Sequence, residues 1–364
     1  MYDVCIIGAG PAGSTLARLL SPRYRVLLAD RHRLDLPPDQ STGKVCGGLL
    51  APRAQETFAR MGLAVPAQVI TGPQPLAVRV LDIPARLERF YRRMYINVDR
   101  PSFDRWLLDL VPDRVDRVPG WRAVSLDAGS PHLVRFELAD GGQASVTARV
   151  VVGADGARSF VRHAAMPNRV PSRRYVAVQG TFVGASEPYY GAIFDERITD
   201  FYGWTIPKGD HTLVGVALPA EGRQVLGGYE AFVREVRRSG LAIGEETARS
   251  GTLLERSLSL SDVALWHNGV ALVGEAAGLI SPSSAEGISF AMRSADALAR
   301  SLEPGIQGAG MRYRMLTAGL LAEMSVKHVK AGVIDSALLR RGLMRSGLGS
   351  LAPWPGPGMV PVIG

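Results

Sequence analysis

The sequence predicts an α/β chain: a Rossmann-like dinucleotide-binding domain that carries an inserted, mainly antiparallel β-sheet domain and ends in helices. Three observations predict it. An apolar run rich in β-branched residues, 3–7, opens onto a complete GxGxxG at residues 8–13 and then onto helical spacing. Residues 173–218 alternate aromatic, β-branched and polar side chains, the period of a half-buried sheet. Helical spacing returns at 287–302 and again at 311–345.

In chain order, 3–7 suits a buried parallel strand and 14–20 the helix that follows it. A second strand, 24–29, ends at Asp30 and completes a βαβ unit. Residues 31–50 are rich in Pro, Gly, Asp and Ser and read as a long functional connection. A helix near 54–61 and strands near 76–83 and 89–98 come next, and Ser102 is placed to cap a helix over 103–110. Strands near 121–126, 133–138 and 144–148 precede 149–156, a further buried strand closed by a turn. After the second sheet come a helix over 229–239, a strand over 269–274, and the 287–302 helix. That last helix carries Ile288, Ala291, Met292, Ala295 and Leu298 at apolar positions. The Gly- and Pro-rich end of the chain reads as a loose tail.

Composition narrows the function classes. At about 100–200 residues per domain, 364 residues imply two packed units, and 46% hydrophobic with 21% charged residues excludes large-scale disorder. Forty-two basic against 34 acidic residues leave +8. Only Lys44, Lys208, Lys327 and Lys330 are lysines, and the arginines are scattered, which argues against nucleic acid as a partner. Two cysteines, Cys5 and Cys46, make neither a disulfide framework nor a paired metal-ligand spacing, so no metal is expected. The six histidines form no HExxH-like pair, and there is no GxSxG or phosphate loop. With no basic leader before an apolar stretch and no apolar run of membrane-spanning length, the expectation is a cytoplasmic protein, with attachment to a membrane surface left open.

The opening motif carries a physical reason for each glycine. Gly8 permits the tight turn, Gly10 lets backbone approach a pyrophosphate, and Gly13 lets the helix pack on the strand; Pro11 and Ala12 open that helix toward the phosphates. Asp30, with Arg31 beside it, ends the second strand, where a carboxylate can accept hydrogen bonds from ribose hydroxyls. This pattern does not separate NAD from FAD.

Two later segments do. Val151-Val152-Gly153-Ala154-Asp155-Gly156 and Gly274-Glu275-Ala276-Ala277-Gly278, the latter followed by Pro282 and Glu286-Gly287-Ile288, both come after buried strands. With them, residues 1 to 330 resemble the flavoprotein class that includes p-hydroxybenzoate hydroxylase and, within it, the geranylgeranyl reductase family. The resemblance implies FAD. It makes Asp155 and Gly156 the turn near the pyrophosphate, Arg100 an FAD-contacting arginine, and the backbone near Val124 a contact for adenine. Gly274, Glu275, Ala276 and Gly278 resemble a glycine-aspartate motif whose carboxylate holds a ribityl hydroxyl; Glu275 replaces the aspartate and is one methylene longer. Gly287 and Ile288 begin a helix whose unpaired N–H groups suit the negative charge of a reduced flavin.

Lys44-Val45-Cys46-Gly47-Gly48 resembles the cysteine-glycine-glycine segment that lies at the flavin ring in geranylgeranyl reductases. Gly47 and Gly48 let backbone approach a planar ring, Lys44 would meet a flavin or substrate charge or stay in solvent, and Cys46 would either donate a proton or shape the pocket. A thiol of pKa about 8.5 can donate near neutral pH. Tyr202-Gly203-Trp204-Thr205-Ile206-Pro207 resembles the same reductases' tyrosine-x-tryptophan-x-phenylalanine-proline motif, with Gly215 at the following glycine, and also a signature of flavin-dependent halogenases. Alternation places Tyr202, Trp204 and Ile206 on one face, as a wall for an apolar chain or as a core face.

The resemblance therefore implies an FAD-binding domain of the glutathione reductase-2 or p-hydroxybenzoate hydroxylase type, assembled from 1–75, 99–170 and 260–305. A substrate-binding sheet domain would comprise 76–98 and 171–259, with helices and tail over 306–364. The implied activity is hydride transfer from reduced flavin to a C=C bond of an apolar or isoprenoid-like substrate, with Cys46, Tyr202 and Trp204 as the catalytic set. NAD(P)H, a ferredoxin or a quinol would supply electrons. An FAD-dependent monooxygenase or halogenase working through a C4a-hydroperoxide is the alternative, and a non-catalytic flavin-bearing electron-transfer or assembly partner is the third reading.

Overall fold

A computed structural model describes residues 1–34, 36, 45–169, 173–184, 187–221 and 224–351. The chain divides into two units, one of residues 1–70, 98–175 and 253–331, the other of 71–97, 176–252 and 332–364. The fold is the expected α/β type. Among the described residues no helix is long and apolar enough to cross a membrane.

The first unit is organised by a parallel core of five strands, in the order Val270–Leu272, Gln143–Gly153, Tyr2–Ile7, Val26–Asp30 and Asp116–Pro119. Val4, Cys5 and Ile6, then Val150, Val151 and Val152, then Val270, Ala271 and Leu272 are all buried, as strands covered on both faces must be. The register sets Ile7 beside Gly153 and Ala29, and Gly153 beside Leu272. Four strands therefore end nearly level, and the turns that follow them emerge at one carboxyl edge, the place where open α/β sheets bind ligands. Helices Pro11–Leu20 and Ile288–Leu302 pack together over this sheet.

Two local expectations are corrected. The helix anticipated after Ser102 spans Arg100–Asp109, and its cap is Asp99, whose Oδ1 accepts the Ser102 N–H at 2.9 Å. Pro101 in the first turn lacks an N–H and holds a helical φ, so the helix starts before it and Ser102 lies inside. The strands anticipated at 144–148 and 149–156 are one strand, Gln143–Gly153. Its first half alternates because it pairs at the sheet's edge with His132–Leu138; its second half is buried between Tyr2–Ile7 and Val270–Leu272. One strand thus carries two hydrophobic patterns.

The second unit holds an eight-stranded sheet in the order Glu246–Arg256, Arg173–Val183, His211–Pro219, Gly203–Lys208, Tyr190–Phe194, Ala77–Asp82, Leu87–Arg92 and Ser350–Leu351. Gly203–Lys208 pairs antiparallel with both neighbours, as does Leu87–Arg92 with its own, while Tyr190–Phe194 runs parallel to Ala77–Asp82. Helix Val225–Arg238 packs on this sheet through Tyr229, Phe232, Val233 and Val236. The Phe232 ring fills the space of the missing Gly203 side chain, where a Cβ would lie 2.1 Å from it.

Candidate functional site

Three glycine-bearing turns meet at the carboxyl edge of the first unit's sheet. A Cβ on Gly13 would lie 1.8 Å from the Gly8 carbonyl oxygen, and one on Gly8 would lie 2.4 Å from that of Ala154. The opening loop thus sits directly on the turn after Gln143–Gly153. Gly274, at φ +59°, would bring a Cβ to 3.2 Å from Ala12 Cβ and 3.3 Å from Ala291, so the third turn closes against the helices of the other two elements. Glu275 Oε2 lies 3.9 Å from the Cβ position of Gly156, so its carboxylate faces the Asp155-Gly156 turn. Gly8, Gly13, Asp155, Gly156, Gly274 and Glu275, scattered over the sequence, form one cluster.

Inside it, each polar group has a geometric role. Asp30 accepts the Ala9 N–H on Oδ2 at 2.7 Å and the His32 N–H on Oδ1 at 2.8 Å, bracing the opening loop and keeping lone pairs for a ribose. Arg31 is exposed beside it. Asp155 takes the Ser159 hydroxyl and the Val161 N–H at the start of helix Phe160–Ala165. Burial raises its carboxyl above the ordinary range, partly offset by those hydrogen bonds. Val124 falls at a register shift between Ala123 and Ser125, so its backbone leaves the ladder. Helix Ile288–Leu302 starts at Gly287 without a side-chain cap, leaving its first N–H groups available, and Ala285 just before it holds φ +52°.

The Cys46 loop belongs to the same unit. Gly48 adopts φ +63°, and its carbonyl accepts the Val98 N–H at 2.8 Å. Arg100, buried at the first turn of its helix, donates its Nε–H to both carboxylate oxygens of Asp104, at 2.9 and 3.0 Å, and the Cys46 sulfur lies within its hydrogen-bonding reach. Burial opposes the Arg100 charge, but Asp104 and Cys46 outweigh it and hold the guanidinium above its ordinary range. Cys46 is half-buried, whereas burial pushes the Cys5 thiol up to about 12. Lys44 lies outside the described residues.

In the second unit, Tyr202 and Trp204 share the face opposite Phe232, with ring centroids 6.1 Å apart. Phe201, Phe194 and Tyr190 surround Tyr202, and Tyr190 donates its hydroxyl to Tyr202 Oη at 3.4 Å. Trp204 is paired across the strands with Gly215, where a Cβ would lie 2.5 Å from its ring, and its indole N–H donates to Gln179 Oε1 at 3.0 Å.

Several residues that sequence reasoning passed over hold the third turn in place. Arg162, fully buried, donates to the carbonyls of Ala276, Asp262 and Arg169. Desolvation lowers its pKa, with Glu255 and Asp262 opposing. Ser257 donates to the Gly278 carbonyl at 2.7 Å and Arg256 to that of Pro282 at 2.6 Å, while Ser294 accepts the Gly274 N–H at 2.9 Å. The one signal available was an arginine directly after the apolar pair Phe160-Val161; its three carbonyl partners lie in other segments.

Comparison with known proteins agrees with this geometry. Residues 1–182 match the family described as FAD binding domain. Over 350 residues the chain is 36% identical to Protein CbrA of Escherichia coli, covering 95% of this chain and 94% of that protein. Among solved structures it is similar to a geranylgeranyl bacteriochlorophyll reductase-like protein from Thermoplasma acidophilum, with TM-score 0.79, 19% identity, and 93% of this chain and 87% of that one covered. It is also similar to PqsL, a probable FAD-dependent monooxygenase from Pseudomonas aeruginosa, with TM-score 0.69, 21% identity, and 95% and 99% covered. At these identities the structural likenesses establish the fold.

The residues present fit the pyrophosphate of FAD. A Cβ on Gly10 would meet nothing within 4 Å, so the middle glycine faces open space at the start of helix Pro11–Leu20, while its neighbours Gly8 and Gly13 are closed by backbone. Of these three glycines, the one assigned to phosphate approach is bare.

Proposed function

Since this chain belongs to the FAD binding domain family and is an FAD-dependent oxidoreductase, we propose that it reduces a C=C bond of an apolar, isoprenoid-like substrate in the cytoplasm. In this reading the opening loop and the Asp155-Gly156 turn receive the pyrophosphate, and Asp30 and Arg31 the adenosine ribose. The Val124 backbone meets adenine, Glu275 a ribityl hydroxyl, and the N–H groups after Gly287 the carbonyl edge of the flavin. Reduced FAD, when bound, supplies the hydride; NAD(P)H, a ferredoxin or a quinol restores it.

The chain's own residues orient the substrate and complete the addition. Tyr202 and Trp204 offer an apolar wall for the chain of the substrate, with Gln179 holding the indole's edge. After hydride reaches one alkene carbon, the other takes a proton from Cys46 Sγ, from Tyr202 Oη or from water. The observation that carries the reading is Cys46 set against the buried Arg100–Asp104 pair, since a guanidinium beside sulfur stabilises the negative charge left when the thiol gives up its proton.

An oxygen-inserting reaction is the second reading, favoured by the likeness to PqsL. Anaerobic and aerobic incubation of the reduced holoprotein with isoprenoids, quinones and aromatic compounds separates the two by mass. A gain of two hydrogens, lost or slowed at least about tenfold in Cys46→Ala, supports reduction. A gain of oxygen that requires air rejects it.

A further inference from the structure

The last helix of the second unit, Ala337–Ser346, is built inside out. Two of its three arginines point inward. Arg340, 6% exposed, donates to Asp82 Oδ2 at 2.9 Å and to the Ile334 carbonyl at 2.7 Å, and lies over the Phe194 ring at 4.6 Å. Arg341 donates to Asp82 Oδ1 at 3.0 Å, and both arginines also reach Glu196. Asp82 is wholly buried, and Met344 fills the remaining inward position. The leucines take the other side. Leu338 is 81% exposed and Leu339 51%, Leu343 is exposed too, and beyond the helix Leu348 is 72% exposed. At 100° per residue, Leu338, Leu339, Gly342, Leu343 and Ser346 form one uncharged outward arc with Arg345 on its flank.

Charge follows the same edge. The helix packs near strand Leu87–Arg92, and Leu351 pairs with Phe90 in that strand. Segments 71–97 and 332–351 together hold eight arginines against three acidic residues, whereas residues 176–252 of the same unit hold ten acidic against seven basic. Arg86, Arg92 and Arg345 are exposed and have no acidic partner among the described residues.

We propose that this edge of the second unit docks on an anionic phospholipid bilayer, the outward leucines entering the interface and Arg86, Arg92 and Arg345 meeting lipid phosphates. An apolar arc flanked by unpaired arginines is complementary to a surface that is apolar below and negative above. A second copy of the chain fits less well, because a twofold contact through this face would set like charges against each other. The helix is ten residues long, enough to lie in an interface and too short to span. The inference goes beyond the proposed reaction and holds whichever reaction the flavin performs.

The test uses the full-length holoprotein and sedimentation with vesicles, either of phosphatidylcholine alone or of phosphatidylcholine and phosphatidylglycerol in equal parts. The protein should pellet with the mixed vesicles and stay in solution with the neutral ones. Leu338→Asp combined with Leu348→Asp should weaken binding at least about tenfold, and each of Arg86→Gln, Arg92→Gln and Arg345→Gln about fivefold. Leu226→Asp, at an exposed leucine on helix Val225–Arg238, should leave binding unchanged. Wild-type protein that pellets with neither vesicle overturns the proposal, as does binding that ignores the leucine and arginine changes. A leucine variant that turns a dimer into a monomer, without vesicle binding by the wild type, assigns the face to a second copy instead.

Discussion

The carboxyl edge of the first unit and the aromatic face of the second are built by opposite means. The first is made of backbone: Gly8, Gly13 and Gly274 bring main chain to within van der Waals distance of main chain or alanine, and Gly10 leaves its own bare. The second is made of side chains, Tyr202 and Trp204 with Phe194, Phe201 and Tyr190 around them. At Gly8 and Gly13 the backbone-built site has no slack, since an added Cβ strikes a main chain that cannot move without its whole strand. A side-chain-built site can repack. The first arrangement suits an invariant cofactor, the second a substrate whose shape sets specificity.

The largest effects should come where that contrast is sharpest. Gly13→Ala places a methyl 1.8 Å from a carbonyl oxygen and should cost about 3 kcal/mol or more, seen as loss of soluble, flavin-bearing protein. Gly10→Ala, three residues earlier, meets nothing and should fold within about 1 kcal/mol of wild type, yet retain FAD at least about tenfold more weakly in gel filtration. Equal loss of fold in both variants would erase the distinction between packing glycine and phosphate glycine. Arg162→Met strips two buried carbonyls and one partly buried carbonyl of their donor and should lower the urea stability by about 3 kcal/mol, with FAD loss tracking the loosened third turn. A neutral result would reassign Arg162 to a bystander.

Gly215→Ala tests the other side of the comparison. Its methyl would sit 2.5 Å from the Trp204 ring, which can swing away, so the cost should be about 1–3 kcal/mol with FAD content unchanged. Lost FAD in that variant would break the assignment of cofactor and side-chain wall to separate units.

The smallest effect concerns the two thiols. In native protein Cys46 should label with iodoacetamide and Cys5 only after denaturation. Because burial raises the Cys5 thiol from 9.0 to about 12, the fold binds that proton more tightly than the unfolded chain does. Its contribution to stability is therefore full below pH about 9 and declines as pH rises toward about 12, which Cys5→Ala should abolish in alkaline urea titrations.

Much of the first unit was legible because its constraints are local. The run Val4 to Ile7 followed by Gly8, Gly10 and Gly13 specifies strand, turn and helix within one short segment, and 149–156 announced a buried strand in the same way. Legibility failed where one strand serves two environments, as in Gln143–Gly153, and where a cap competes with proline, as at Asp99 and Ser102. Among site residues, the sequence pointed to Cys46 and Arg100 separately. Their proximity, and the hold of Asp104 on the Arg100 Nε–H, came only with the fold.

By itself the sequence determined where the backbone must be bare and which strands must be buried, since glycine identity and β-branched runs act over a few residues. Only the tertiary structure decided which carbonyls Arg162 ties together, that Trp204 lies on Gly215, and that Arg340 and Arg341 turn inward to Asp82 while Leu338, Leu339 and Leu343 on either side of them turn out. Those partners stand 7 to about 260 residues apart in the chain, and the direction of a side chain is set by whichever charge or void the folded neighbour presents.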